Sequence, residues 1–189
     1  MEEGEISTDN KDYILEEPFI VLATQNPLEY QGTFPLPEAQ LDRFLMKISL
    51  GYPDEDFERE ILENYENIKP NNLKAVANRE DILNMQEKVE STTVHQDIIK
   101  YIIDISNKTR NSKDIQLGAS PRGSIDLLKA AKAQAFLENR NYVIPDDVKN
   151  MVIPVLNHRI VLSPEARIER KTPNFVLEEL LQTIFIPII

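Results

Sequence analysis

Residues 19–23 form a short, continuous apolar run, Phe-Ile-Val-Leu-Ala, which lies between Pro18 and Pro27. The run is too short for a typical helix, β-branched and aromatic residues dominate it, and proline flanks both sides. Such a run is typical of a strand that is buried on both faces of a parallel sheet. Its polar end, Thr24-Gln25-Asn26, therefore falls at the carboxyl edge of the predicted strand, where open α/β sheets bind their ligands.

Asn26 is the first candidate functional residue. An amide side chain at a strand end can orient a water molecule or contact a phosphate without adding charge. The alternative is an asparagine that starts a turn before Pro27. For Asn26 alone, the turn is the favoured interpretation. A functional site is favoured only when Asn26 is considered together with two arginines further along the chain.

Those arginines are Arg43, in the sequence LDRF, and Arg122, which follows Pro121 at the predicted first turn of a helix. A guanidinium is permanently charged and planar, so it suits a phosphate whose charge shifts during transfer. A helix N-terminus also favours an anion near Arg122. The alternatives are a surface pair of Asp42 with Arg43 at the start of a strand, and a bond from Arg122 to a nearby carboxylate.

Two longer strings carry a resemblance to a known family. ATQNPLEYQGTFPLPEAQLDRFLMKISLGYP, residues 23–53, resembles the MoxR family of AAA+ ATPases, and LGASPRGSIDLLKAAKAQAFLENRNYVIPDDV, residues 117–148, resembles the lid of that family. The match extends from residue 1 to about residue 169. The resemblance implies that Asn26 is the sensor 1 asparagine and Arg43 the arginine finger, both catalytic. It implies that Arg122 is the sensor 2 arginine and binds the nucleotide.

The resemblance also implies ligands and partners. The complete protein is expected to bind ATP and Mg²⁺ and to form a homo-oligomeric ring, expected to be a hexamer, in which Arg43 reaches the nucleotide of the neighbouring subunit. ATP hydrolysis would remodel or activate protein clients, with von Willebrand factor A domain proteins as candidates. Two alternatives stay open: a helical protein-interaction module without nucleotide chemistry, and the ATPase subunit of a metal-chelatase-like complex.

The motifs that hold phosphate and magnesium are missing from the sequence. A phosphate-binding loop needs Gly-Lys-Ser/Thr, and none of the five glycines precedes a lysine. The nearest imitation of a Walker B strand, Tyr-Ile-Ile-Asp at residues 101–104, has helical periodicity. The chain alone is therefore expected to begin partway through a nucleotide-binding domain, to be catalytically incomplete and to bind neither ATP nor Mg²⁺ tightly.

Composition excludes several other classes. A net charge of −11 and an isoelectric point near 4.7 disfavour a nucleic-acid surface, which needs positive potential. With no cysteine and only two histidines, no metal site is expected. No apolar run approaches the length of about 20 residues that spans a membrane, and the expected location is the cytoplasm.

The predicted fold is mainly α with a partial α/β portion. Residues 1–52 would be the remnant of the AAA+ nucleotide-binding sheet, 53–170 a helical lid, and 171–189 a C-terminal helix with an apolar tail that docks on a core or a partner. A hairpin is predicted over residues 6–15, with a polar turn at 9–12. Because the strand at 19–23 lacks neighbours here, residues 1 to about 50 are expected to be poorly ordered or paired with another chain.

Helical periodicity begins after Pro53, where Asp54 can cap the first helix. Ile144 occupies the cap position before Pro145, where no side-chain bond is possible, so that cap should be weak. The predicted apolar faces, one per helix, are Phe57, Ile61 and Tyr65; Ile82, Met85 and Val89; Ile98, Tyr101 or Ile102, and Ile105; Ile125, Leu128, Ala131 and Ala135; and Val148, Val152 and Val155.

Overall fold

The computed structural model of the chain describes residues 5–8, 11–25, 36–65 and 74–188. These residues form a mainly helical fold with two small antiparallel sheets, as the sequence predicts. The elements in chain order are β1 Glu5–Thr8, β2 Lys11–Ile14, α1 Glu38–Leu41, α2 Glu55–Asn64, α3 Arg79–Glu90, α4 Gln96–Arg110, β3 Ile115–Leu117, α5 Pro121–Leu137, α6 Pro145–Leu156, β4 Val161–Leu162, α7 Pro164–Ile168 and α8 Pro173–Gln182.

The predicted hairpin is confirmed, since β1 pairs antiparallel with β2. The predicted turn at residues 9–12 is too long, because Lys11 and Asp12 belong to β2 and lie opposite Thr8 and Ser7. The predicted strand at residues 19–23 is wrong, because residues 15–25 form neither helix nor strand. No described segment offers this run a hydrogen-bonding partner, and a strand without a partner has no ladder. Its apolar side chains are accordingly exposed, Ile20 by 77% and Leu22 by 89%. Disorder or pairing of residues 1 to about 50 with another chain stays a prediction.

The hydrophobic core lies between α4, α5, α6 and α8. The predicted faces of α4 and α6 are confirmed as buried. The predicted buried face of α5 is wrong for its two large residues. Ile125 is 54% exposed and Leu128 is only half-buried. The buried residues of α5 are Gly123, Leu127, Ala130, Ala131 and Ala135. These mostly small side chains allow α5 to pack closely on its neighbouring helices.

The predicted apolar faces of α2 and α3 are only partly covered. Phe57 and Ile61 of α2 and Tyr65 at its C-cap are all exposed. On α3, Met85 is exposed and Val89 is half-buried. Residues 185–188 of the predicted apolar tail are largely exposed as well. The described part of the chain therefore presents apolar surface at both α2 and the tail.

Helix starts follow the predicted caps. Asp54 accepts a hydrogen bond from the Phe57 amide at 3.0 Å. The side chain of Ile144 makes no cap bond, as predicted. Instead, the Asp147 carboxylate accepts the Ile144 amide at 2.9 Å and two hydrogen bonds from Arg140, which replaces part of the missing cap.

Gly118 positions the loop that leads into α5. A Cβ at this position would lie 2.6 Å from the Arg110 amide nitrogen and 2.7 Å from the Arg110 Cα, at the end of α4. These are backbone atoms, which cannot move aside as a flexible side chain could. The absence of a side chain at residue 118 therefore lets the loop approach α4.

We expect Gly118→Ala to lower the free energy of unfolding by about 1–3 kcal/mol, the usual cost of overpacking. Urea denaturation followed by circular dichroism measures this change. Gly51→Ala is the matched control: Gly51 has φ 65° but no atom within 4 Å of an added Cβ. A loss at Gly118 no larger than the loss at Gly51 would contradict the close approach of loop and helix.

Candidate functional site

Residues 42–47 follow α1 and lie against the C-terminal end of α6. Asp42 is the C-cap of α1, so the LDRF sequence ends a helical turn rather than starting a strand. The Lys47 amide donates to the Pro154 carbonyl at 2.8 Å. Pro154 lies inside α6. A backbone bond therefore joins this segment to the helical core.

Arg159 is the centre of the contacts between the segment and the core. Its side chain is 0% exposed, although arginine is seldom fully buried without a partner. Its donors reach six acceptors: Asp42 Oδ1 at 3.0 Å, the carbonyls of Asp42 at 3.0 Å, Phe44 at 2.8 Å, Leu45 at 3.0 Å and Val155 at 2.6 Å, and Asp126 Oδ2 at 2.5 Å. All three guanidinium nitrogens are used, and the buried charge is paired with two carboxylates.

The Asp126 carboxyl on α5 takes part in this network. Burial raises the pKa of Asp126 above its ordinary value, and the positive charge of Arg159 opposes that rise only in part. Asp126 is therefore a carboxylate whose charged form depends on the guanidinium beside it.

Asp42 also contacts the start of α5. The Ser120 hydroxyl lies 3.4 Å from both carboxylate oxygens of Asp42, and Ser120 is the N-cap of α5. Arg122, in the first turn of that helix, has Nη1 4.0 Å from Asp42 Oδ2. At this distance and partial exposure the ion pair contributes little to stability. Asp42, which directly precedes Arg43 in the chain, thus lies beside Arg122.

Arg43 is exposed, and no partner for its guanidinium is found among the described residues. Its neighbour Asp42 pairs with Arg159 and Arg122 instead, so the alternative of an Asp42–Arg43 surface pair is not formed. Arg122 does have a carboxylate nearby, as its own alternative required. Asn26 lies outside the described residues, and the roles of all three residues stay predictions.

His158 adds a second contact to the same segment. Its Nε2 lies 3.0 Å from the Phe44 carbonyl, and because a carbonyl only accepts, Nε2 carries the proton. Burial lowers the pKa of His158, the hydrogen bond to Phe44 opposes the change, and Arg159 and Lys47 add to it. The folded protein therefore favours neutral His158, and a structural role rather than acid-base chemistry.

We expect the contribution of His158 to stability to be fully present above about pH 6.5, the ordinary histidine pKa. It should be lost as the pH falls from that value through the lowered pKa of the folded state, because the unfolded chain binds the proton first. Denaturation between pH 5 and pH 7 should show a shallower loss for His158→Gln than for the wild type. His95→Gln, which leaves His158 in place, should keep the steeper loss, and equal slopes for all three proteins would contradict the assignment.

Other kinds of site are not found in the part of the chain that the structure describes. Within residues 5–8, 11–25, 36–65 and 74–188, no group of three or more histidine or acidic side chains could hold a metal ion. Across these same ranges, no helix is both long and apolar enough to cross a bilayer.

The fold and the site define a class of protein when they are compared with known families. The model of the AAA lid domain matches residues 107–180, which contain Arg122, Asp126 and Arg159. The model of the ATPase family associated with various cellular activities (AAA) matches residues 1–46, which contain Asn26 and Arg43. Residues 107–180 therefore match an AAA lid domain, and residues 1–46 match part of an AAA ATPase domain.

Individual relatives narrow the class. YeaC of Bacillus subtilis is 44% identical over 189 residues, which are 100% of this chain and 59% of YeaC. The chaperone MoxR1 of Mycobacterium tuberculosis is 37% identical over 99% of this chain and 52% of its own length. The crystal structure of a Cytophaga hutchinsonii protein assigned as an ATPase superposes with a TM-score of 0.88 at 37% identity, over 99% of this chain and 60% of that one.

The chain belongs to the MoxR family of AAA+ ATPases. It spans a little more than half the length of the relatives that it matches.

Sequence reasoning missed Arg159 as part of the site. The residue follows α6 and comes directly before Ile160, Val161 and Leu162, so the one usable signal was an arginine at the start of an apolar stretch. Its partner Asp42 lies 117 positions away along the chain, and no local pattern links the two residues.

Proposed function

We propose that this chain is the sensor 1, arginine finger and lid portion of a MoxR-type ATPase that hydrolyses ATP in a homo-oligomeric ring. Hydrolysis would remodel or activate protein partners in the cytoplasm. By itself the chain would be catalytically incomplete, because its sequence has no phosphate-binding loop. In the complete protein, these residues would be joined to such a loop.

The observation that carries the proposal is the contrast between Arg43 and its surroundings. Arg43 is exposed, and its guanidinium lacks a partner among the described residues, whereas the adjacent Asp42 is held by buried Arg159. An arginine on a fixed backbone with an uncommitted guanidinium suits an anionic group outside its own chain. In a ring, that group would be the γ-phosphate of ATP in the neighbouring subunit, whose transfer an arginine finger accelerates.

The residues present could supply only part of a nucleotide site, namely positively charged groups that contact phosphate. Arg43 and Arg122 are donors that can contact phosphate oxygens. Within the described residues, however, no acidic cluster could hold Mg²⁺. We therefore assign ATP and Mg²⁺ to the complete protein, in which the metal would bridge and neutralise the phosphates.

The partners follow from the same proposal. The ring, expected to be a hexamer, would place Arg43 of one subunit at the nucleotide of the next, while Arg122 and Asn26 face the nucleotide of their own subunit. Protein clients are supported by the chaperone name of the relative MoxR1. Proteins with von Willebrand factor A domains are the candidate clients.

ATP turnover tests this proposal directly. The 189-residue chain should release no phosphate above background, whereas the complete protein should turn over ATP. Turnover by the 189-residue chain at a rate typical of AAA+ ATPases would overturn the claim of incompleteness. A complete protein that binds no ATP would overturn the enzymatic claim itself.

The alternative is a helical protein-interaction module without nucleotide chemistry. The exposed apolar residues Phe57 and Ile61 of α2, with Tyr65 at its C-cap, favour this alternative, because exposed apolar patches mark interaction sites. The coding sequence upstream of residue 1 distinguishes the two functions. An in-frame upstream segment that encodes Gly-Lys-Ser/Thr supports the enzyme, and a true start at Met1 supports the module.

A further inference from the structure

We propose that Arg159 is a positioning residue for Arg43: it fixes the backbone on both sides of Arg43 to the lid, so that the lid and the arginine finger move as one body. This inference rests on the proposed function for its effect on turnover. Its structural part, the attachment of residues 42–47 to the lid, can be tested without ATP.

The hydrogen bonds of Arg159 flank Arg43 directly. The guanidinium binds the carbonyl of Asp42, immediately before Arg43, and the carbonyls of Phe44 and Leu45, immediately after it. A further bond reaches the Asp42 carboxylate. One buried side chain therefore determines the path of the main chain through Arg43 while leaving the Arg43 side chain exposed.

The opposite side of the guanidinium is attached to the lid. Arg159 donates to the Val155 carbonyl of α6 and to the Asp126 carboxylate of α5. The His158 bond to Phe44 and the Lys47 bond to Pro154 join the same two parts. Every one of these contacts is made by a residue of the lid, so a rotation of the lid would carry the segment with it.

Asp42 extends the connection to Arg122. The Asp42 carboxylate accepts from Arg159 and lies 4.0 Å from Arg122 Nη1. If Arg122 contacts the nucleotide of its own subunit, a change there would alter the lid and, through Arg159, the finger offered to the next subunit. The residues thus connect two nucleotide sites of the ring through one short network.

Lysine cannot reproduce this arrangement. An ammonium is a single point with three donors, whereas the six acceptors around Arg159 require a planar fork with donors on several sides. Arg159→Lys therefore keeps the charge beside Asp126 and Asp42 while releasing part of the backbone around Arg43. This makes it the informative variant.

Hydrogen exchange on the 189-residue chain tests the attachment. In Arg159→Lys the amide of Lys47, which binds the Pro154 carbonyl, should exchange at least about tenfold faster, while core amides of α4 and α8 keep their rates. The matched control is Arg140→Lys, which changes another lid ion pair, Arg140–Asp147, without contacting residues 42–47. An unchanged Lys47 rate in Arg159→Lys overturns the inference. If Arg159→Lys does not fold, Asp42→Asn is used in its place, and the Lys47 amide is again expected to exchange at least about tenfold faster.

A double-mutant cycle in the complete protein tests the effect on catalysis. Arg159→Lys should lower kcat about 10²-fold, the usual result of misplacing a catalytic group, with the Kd for ATP within about twofold of the wild type. In the Arg43→Ala background, Arg159→Lys should lower kcat no further, because Arg159 acts on kcat only through the Arg43 side chain. Arg140→Lys should leave kcat unchanged.

The two proposals fail differently in this cycle. Effects of Arg159→Lys and Arg43→Ala that multiply would show a general structural role and overturn the positioning role. An Arg43→Ala variant with unchanged kcat would instead overturn the proposed function, while the exchange rate of the Lys47 amide would still decide whether Arg159 holds the segment.

Discussion

Replacement of Arg43 by alanine in the complete protein is expected to lower kcat for ATP hydrolysis by about 10³–10⁵-fold, the range that an arginine finger supplies. The reason is that the guanidinium would stabilise charge on the transferring phosphate, an interaction that alanine cannot make. Steady-state phosphate release under saturating ATP measures the effect. Arg43→Lys is the matched control: it keeps the charge but not the planar fork, and its kcat should lie between those of the alanine variant and the wild type.

The same substitution should barely change stability. Arg43 is exposed and has no partner among the described residues, so Arg43→Ala should alter the free energy of unfolding by no more than about 0.5 kcal/mol. A large loss of kcat together with unchanged unfolding would separate a catalytic role from a structural one. Wild-type turnover in a folded Arg43→Ala ring would contradict the finger assignment.

The largest stability effect is expected at Arg159. Arg159→Met should lower the free energy of unfolding by about 3–5 kcal/mol, because it leaves the carboxylates of Asp42 and Asp126 without their buried partner. Chemical denaturation of the 189-residue chain measures the loss. Asp126→Asn in the Arg159→Met background removes one of the two uncompensated charges and should restore part of the stability.

The cost of Arg159→Met should also depend on pH. Burial already raises the pKa of Asp126, and removal of Arg159 takes away the charge that opposes this rise. A folded-state pKa above the unfolded one means that the folded protein binds the proton more tightly, so the variant gains stability relative to the wild type as the pH falls. The loss should therefore be smaller at pH 5 than at pH 8. A loss below about 1 kcal/mol at both pH values would contradict the buried network.

The local features of the fold were predictable because they depend on neighbouring residues. Asp54 begins α2 by accepting the amide of Phe57, three residues later. The period of Ile98 and Ile105 identified the buried face of α4. The missing cap bond at Ile144 was also evident from the residue type alone.

The features that depend on distant residues were not predictable. The run at 19–23 has the composition of a buried strand, yet a strand forms only when another strand pairs with it. Which face of α5 is buried depends on the helices that pack against it. Small residues such as Ala130 are buried there, whereas Ile125 is not. In the candidate site, Arg43 and Arg122 could be identified by resemblance, but Arg159 acquires its role only when folding brings Asp42 to it.

A mixed-ring assay tests the central claim, that Arg43 serves the nucleotide of a neighbouring subunit, most directly. One complete protein would carry Arg43→Ala and the other a substitution of its phosphate-loop lysine, and each alone should be inactive. Mixed in equal amounts, they should recover up to about a quarter of wild-type ATP turnover, because a head-to-tail ring interface can pair an intact loop with an intact Arg43 from the next subunit. No recovery from subunits shown to assemble together would contradict a finger that acts between subunits.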